Sequence, residues 1–367
     1  MNRSTFLQQC VRWPKRWHQR HGGMNQQPRR VCAWHCSSSQ RGVAARVGRI
    51  ARSRAYARAS GEKRCLSTNE GVKRAIEEEM IATQEDAVST DVLATRVTDR
   101  IAVITLGSPK RIYFDAEMGD ALTAALDGYA GDPNIRAVVL TGGAPGYFAR
   151  HFSITALLQL AEPLRASGRE WPDNATYNAG FFDKAMALCE SMPKPVVAAI
   201  SGTCLAGAFE FALSCDLRIA EDGEYLIGLP ETNLGLVPGA GGTQRLPRTI
   251  GTAAALKHIL MGDAVNPKEA ARLGLVHESV SGKALDRAME IASRLASRPP
   301  ESVAAIKRLV RNATETPLAQ GLALERNLFL KLCISDAGLA RMRSYEAANI
   351  TSPARSIEVD ERKVNRG

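Results

Sequence analysis

Residues 193–249, PKPVVAAISGTCLAGAFEFALSCDLRIAEDGEYLIGLPETNLGLVPGAGGTQRLPRT, constrain the fold more than any other stretch of this 367-residue chain. PVVAAISG (195–202) is a β-branched and apolar run closed by glycine, the pattern of a buried strand. LAGAFEFALSC (205–215) reads as a tightly packed helix with small residues at its entry. DLRIA (216–220) is a second strand, EDGE (221–224) a turn, and YLIGLPE (225–231) a third extended run ending on Glu231. PGAGGTQ (238–244) is a glycine-rich turn that opens another helix. Strand and helix alternating over so short a span predict an α/β fold with a partly parallel sheet.

Two carboxylates stand among apolar neighbours here, Glu210 between Phe209 and Phe211, and Glu231 after Leu229 and Pro230. Apolar surroundings disfavour the charged form, which tunes a carboxyl group toward neutral pH. Gly207, three residues before Glu210, puts the unpaired N–H groups and positive end of a helix beside that side chain. A base next to a fixed N–H donor suits proton transfer beside a carbonyl group. Taken singly, each glutamate reads more readily as a partly buried partner of an arginine such as Arg218 or Arg245.

Together these residues resemble the crotonase (enoyl-CoA hydratase/isomerase) superfamily. AGAFE (206–210) matches its glycine-rich helix entry and first glutamate, GLPE (228–231) its second, and LGLVPGAGGTQRL (234–246) the run that follows. The resemblance implies a spiral of ββα units with a C-terminal helical oligomerisation region, and trimers or hexamers as the assembly. A helical cap on a monomer is the alternative. It also implies two backbone N–H groups that hold a thioester oxygen, from Gly207 and, in FARHFSI (148–154), from Phe152. The family usually has Ala-Gly-Ala where this chain has Arg150, His151 and Phe152, so the loop must keep its course around far bulkier residues. His151 reads as structural or as a phosphate contact rather than as a base. In SPKRIYFDAEM (108–118) Ile112, Tyr113 and Phe114 also depart from the family pattern, leaving Lys110, Arg111 and Arg150 as the expected contacts of coenzyme A.

Composition separates the ends of the chain from its body. Of the 48 lysines and arginines, 13 lie in residues 1–60, which hold no acid, so the rest of the chain carries 35 basic against 38 acidic residues. The net charge of +10 therefore belongs to the first segment, and a nucleic-acid partner for the body is not expected. An Arg- and Ser-rich, acid-free start is the composition of a mitochondrial transit peptide, and RCLST (64–68) predicts cleavage between Leu66 and Ser67. A basic arm that stays attached and touches RNA or lipid is the alternative. The eight cysteines are scattered, and those after residue 66 sit in apolar contexts as reduced core thiols. CAWHC (32–36) falls inside the presequence, no metal site is expected, and no apolar run is long enough to span a membrane.

The predicted organisation is a presequence (1–66), a helix-prone lead-in (67–90), a core (91–280), a helical region (281–350) and a polar tail (351–367). DVLATRV (91–97) and RIAVITL (100–106) predict a hairpin, AEMGDALTAALDGYA (116–130) a helix, and RAVVLTGG (136–143) a buried strand. Residues 161–180 read as a loop over the acyl pocket, and 252–262, 267–273, 283–297, 301–312 and 316–334 as amphipathic helices. By resemblance the activity is reversible hydration of a 2-enoyl-CoA in the mitochondrial matrix, in fatty-acid or amino-acid breakdown. The thioester is substrate, and no cofactor is needed. A double-bond isomerase, or a non-catalytic RNA-binding or scaffold protein, is the alternative.

Overall fold

The computed structural model describes residues 88–168, 170 and 181–351. The expected presequence with CAWHC, the expected lead-in up to residue 87, most of the expected acyl loop (169 and 171–180) and the tail from 352 lie outside the described residues.

A short strand β1 (Val88–Ser89) precedes the expected hairpin of β2 (Leu93–Thr98) and β3 (Ile101–Leu106), paired from Thr98↔Ile101 to Leu93↔Leu106. Its two turn residues, Asp99 and Arg100, both take positive φ (47° and 67°), the geometry that follows the natural twist of paired strands. Helix α1 (Ala116–Gly131) begins where Asp115 accepts the Met118 N–H at 2.9 Å, and it buries Met118, Leu122 and Leu126.

Strand β4 (Ala137–Gly142) then opens a repeating course. It leads to β5 (Gly146–Ala149) and helices α2 (Ile154–Ala166) and α3 (Phe181–Ser191). Next come β6 (Val196–Ile200), β7 (Gly202–Leu205) and α4 (Gly207–Ser214), and after them β8 (Leu217–Glu221) and β9 (Ile227–Gly228). A 3₁₀ turn (Glu231–Leu234) precedes α5 (Gly242–Ile250), α6 (Thr252–Met261), β10 (Ala264–Val265) and α7 (Pro267–Leu273). Strand β11 (Glu278–Val280) and helices α8 (Ala284–Ala296), α9 (Pro300–Asn312), α10 (Leu318–Cys333) and α11 (Asp336–Thr351) complete the order.

Each full turn places one strand in a seven-stranded sheet, β1-β2-β3-β4-β6-β8-β11, the next in a four-stranded sheet, β10-β9-β7-β5, and then a helix. Pairing is parallel through β4, β6, β8 and β11 and through β5, β7 and β9, so the chain advances as a spiral. PVVAAISG is the expected buried strand, β6, ending at Ile200, and its closing glycine, Gly202, starts β7 in the other sheet. The turns are of unequal length, because α4 alone joins β7 to β8 whereas three helices intervene before β11. That inequality is why no fixed-period repeat shows in the sequence.

Side chains alternate across the large sheet. Val138, Leu140 and Ala198 face a core shared with Leu122, Leu126, Met186 and Phe209. Ile101, Val103, Val139, Val197 and Ile219 face Ala284, Ala288 and Ala292 of α8, whose small side chains bring that helix close to the sheet. The sequence division at residue 280 therefore cuts α8 away from the core that it completes. Helices α9 and α10 bury no side chain fully and leave Ile306, Val310, Leu318 and Phe329 exposed. Two further expectations are corrected: residues 161–166 are the last part of α2, not loop, and α11 is a helix that the sequence reading did not separate. Among the described residues no helix is long and apolar enough to cross a membrane.

Candidate active site

Every residue of α4 is buried, so Glu210 is carried into the core by the helix itself. The chain enters α4 through Ala206, at φ 52° and ψ −131°, a conformation that costs a residue with a Cβ about 1–3 kcal/mol. No side chain caps this end, and the first N–H groups of a helix have no intrahelical acceptor. The Glu210 side chain crosses to the start of α5, where Oε1 accepts the Ala240 N–H (2.8 Å) and the Gly242 N–H (2.7 Å). Burial raises the Glu210 pKa, and these two donors and the more distant Arg245 pull it back. Gly242 has to lack a side chain: a Cβ would sit 3.0 Å from Oε1 and 2.9 Å from both Leu229 and Pro238.

Glu231 starts the 3₁₀ turn after β9 and is 9% exposed. Thr232 Oγ1 donates to the Ile259 carbonyl (2.7 Å) and Asn233 Nδ2 to that of Gly262 (3.2 Å), which docks the turn on α6. Oε2 of Glu231 is buried with no hydrogen-bond partner among the described residues. Desolvation lifts its pKa from 4.5 to about 7; its own N–H opposes the rise and the nearby Glu210 adds to it. Neither glutamate is held by an arginine. Arg218 donates to the Leu275 and Cys215 carbonyls, and Arg245 binds Glu190.

The Arg150–Ser153 loop keeps a fixed course despite its bulk. The Arg150 N–H donates to the Ile112 carbonyl (2.7 Å), that of Phe114 to His151 (2.9 Å), that of Ser153 to Phe114 (2.7 Å), and that of Leu205 to Arg150 (3.0 Å). In this parallel bridge residues 151 and 153 turn their polar groups to Phe114, so the Phe152 amide faces the other way, toward α4. A Cβ placed on Gly207 would lie 3.7 Å from Phe152 N and 3.9 Å from Glu210 Oε2. Gly207, Phe152 and Glu210 thus meet at one point. The Phe152 ring packs edge-on against Phe182 (5.7 Å), which meets Phe114 at 4.9 Å, so an aromatic cluster absorbs the bulk.

A family model described as enoyl-CoA hydratase/isomerase matches residues 96–345, which include the whole of this site. The chain belongs to the enoyl-CoA hydratase/isomerase family. YngF of Bacillus subtilis, which bears that family's name, is 36% identical over 240 residues, 65% of this chain and 88% of its own. The fatty acid oxidation complex subunit alpha of Shewanella putrefaciens is 31% identical over 74% of this chain, matching 36% of its own length. The structure of an enoyl-CoA hydratase from Geobacillus kaustophilus superimposes with a TM-score of 0.65 at 29% identity, covering 72% of this chain and 97% of that one. An enoyl-CoA hydratase from Bacillus anthracis gives 0.62 at 28% identity, covering 70% and 96%. The two-sheet spiral is the crotonase fold.

Within this family member the basic residues expected at coenzyme A stand in unlike settings. Lys110 is exposed, whereas Arg111 is held by Asp115 (2.6 Å) and Glu117 (2.8 Å). Those ion pairs commit the Arg111 guanidinium to the start of α1. Arg150 is exposed, lies 5.9 Å from the centre of the Tyr113 ring and donates to its hydroxyl (3.2 Å). His151 packs at a tilt against the same ring (centroids 4.9 Å apart), and its Nδ1 lies 2.7 Å from the Phe152 carbonyl. A carbonyl only accepts, so Nδ1 carries the proton and fixes the loop. Among the described residues no group of His, Cys, Asp and Glu is arranged to hold a metal ion. Sequence reasoning missed the Ala240 and Gly242 donors to Glu210. The signal was present in the paired glycines at 241 and 242.

Proposed function

We propose that this protein reversibly hydrates a 2-enoyl-CoA thioester to a 3-hydroxyacyl-CoA. One observation carries the reading. Two buried carboxylates stand in unlike environments: Glu210 lies at the meeting point of the Gly207 and Phe152 amides, and Glu231 feels the charge of Glu210. In the proposed reaction those amides hold the thioester oxygen, where charge accumulates as the double bond is attacked. Glu210, kept ionisable by its two N–H donors, takes a proton from water as the water oxygen bonds to the β-carbon. Glu231, which holds a proton up to about pH 7, delivers it to the α-carbon. Exchange with solvent then returns a proton from Glu210 and restores one to Glu231. The rate should be bell-shaped in pH, with a falling limb near 7 that belongs to the coupled pair.

Lys110 and Arg150 are the proposed contacts of the coenzyme A phosphates, with Arg111 serving in the same loop chiefly through its ion pairs. A mitochondrial matrix location after cleavage near Ser67, a role in fatty-acid or amino-acid breakdown, and a trimer or hexamer complete the proposal. A double-bond isomerase needs mainly one acid/base, so the presence of both glutamates favours hydration.

The deciding experiment measures absorbance loss with a panel of enoyl-CoA esters for residues 67–367. Glu210→Gln and Glu231→Gln should each lower kcat about 10²–10⁴-fold while ester binding persists. Loss on only one substitution, with 3-enoyl esters shifted to 2-enoyl esters, would make the enzyme an isomerase. A wild type that neither binds nor converts any ester would leave the scaffold reading.

A further inference from the structure

The donors that hold Glu210 belong to a loop that is itself held. Arg245, one turn into α5, donates through Nη1 to the Ala240 carbonyl (2.8 Å), the residue whose N–H binds Glu210 Oε1. Its Nε and Nη2 grip both oxygens of Glu190 on α3 (2.7 and 3.1 Å). Glu190 also faces Arg311 of α9 at 3.7 Å, and Arg311 Nη2 donates to the Ser214 carbonyl at the far end of α4 (2.7 Å). Gly241 makes the reach possible. It lies at φ 95°, and a Cβ there would fall 2.2 Å from Arg245 Nη1.

We propose that Arg245, clamped by Glu190, is a positioning residue for Glu210: by holding the Ala240 carbonyl it fixes the Ala240–Gly241 peptide, which lies between the Ala240 and Gly242 N–H donors, so that Oε1 is anchored and Oε2 is turned toward Gly207. The inference rests on the hydratase reading for the identity of Glu210 as base, but not for the geometry. A bidentate guanidinium–carboxylate pair suits the task because its planar fork fixes direction as well as distance. The charges around the arrangement are few. Glu210 feels the charge of the more distant Arg245 and acts in turn on Glu231, while Arg245 feels Glu190 and Asp183 of α3 as well as Glu210. Removing the Arg245 charge should therefore raise the Glu210 pKa, since Arg245 is among the groups that lower it.

The test compares wild type with Arg245→Met, Arg245→Lys and Glu190→Gln, by pH–rate profile and by infrared titration of the Glu210 carboxyl, identified by difference from Glu210→Gln. Arg245→Met should lower kcat about 10²-fold, the scale of a misplaced catalytic group, with KM little changed. Its rising limb and its Glu210 titration should both move to higher pH. Arg245→Lys keeps the charge but not the fork, so kcat should fall about tenfold with the limb unmoved. Glu190→Gln should resemble Arg245→Lys, and adding it to Arg245→Met should cost nothing more. A kcat loss in Arg245→Met without any change in the Glu210 titration would overturn the proposal, as would unaltered kinetics. If Arg245→Met does not fold, the Lys and Gln variants decide by whether kcat falls at constant KM. If the wild type converts no enoyl ester, the hydratase reading fails, and the infrared titration alone still decides the role of Arg245.

Discussion

Replacing Glu231 by glutamine should make the protein more stable above neutral pH while it removes activity. Glu231 is 9% exposed, and burial raises its pKa from 4.5 to about 7. Below about pH 4.5 the folded and unfolded chains hold the same proton, so the group imposes no cost. Between 4.5 and 7 the unfolded chain releases the proton while the folded chain keeps it, and stability is lost through that window. Above about 7 the loss is complete. At about 1.4 kcal/mol per pKa unit, it amounts to about 3 kcal/mol. Glutamine does not titrate, so it escapes this cost at every pH. Its amide has its own unpartnered burial, a constant offset that cancels when the two proteins are compared across pH. Urea denaturation of wild type and Glu231→Gln at equal protomer concentration, at pH 4.5, 6 and 8, measures the difference. The gap should move by about 3 kcal/mol in favour of the variant between the lowest and highest pH. A gap that stays constant would refute the reasoning, because Glu231 would then titrate alike in both states.

Other expectations concern the helix entry, the N-terminus and the assembly. Ala206→Gly should stabilise the fold by about 1 kcal/mol, strain relief at φ 52° exceeding the entropy a glycine loses; urea midpoints check it, and a destabilised variant would contradict a strained entry. The N-terminus of the protein recovered from cells should lie near Ser67, and a stable form beginning at Met1 would reject the import proposal. Leu256, Leu260 and Met261 on α6, like Ile306 and Val310 on α9, are more than half exposed. Light scattering should accordingly report a trimer or hexamer, and a monomeric mass at micromolar concentration would be decisive against it.

Local signals carried most of the fold. The hairpin, α1 and the strands of 136–143 and 216–220 were legible because alternation and helical spacing act over a few residues. Sheet membership was not. The glycine that closes PVVAAISG marks the end of β6, but nothing there shows that the chain then enters another sheet, because β7 follows after a single residue. Nor did the sequence reveal that α8 belongs to the core. Its buried alanines at 284, 288 and 292 form a narrow stripe, and their value depends on a sheet face built far earlier in the chain. At the site, Glu210, Glu231, Gly207 and Phe152 were named from sequence, yet the loop that anchors Glu210 lies thirty residues beyond it. Hydrogen bonds at that separation leave only indirect traces, here two glycines whose missing side chains make room for Glu210 and Arg245.

The same loop explains why two buried glutamates that feel each other's charge need not behave alike. Burial pushes both upward, so burial cannot set them apart. The difference lies in what each carboxylate accepts. Glu210 ends on two N–H groups at the start of α5, where the helix dipole also favours a negative charge. Glu231 has the help of its own N–H alone, keeps a buried Oε2 without a partner among the described residues, and faces the charge of Glu210. Each ionisation of Glu210 therefore makes that of Glu231 harder, and the proton rests on Glu231. Two titrating groups pushed apart in this way can serve as an acid and a base at one pH, which is what the proposed addition of water across a double bond requires.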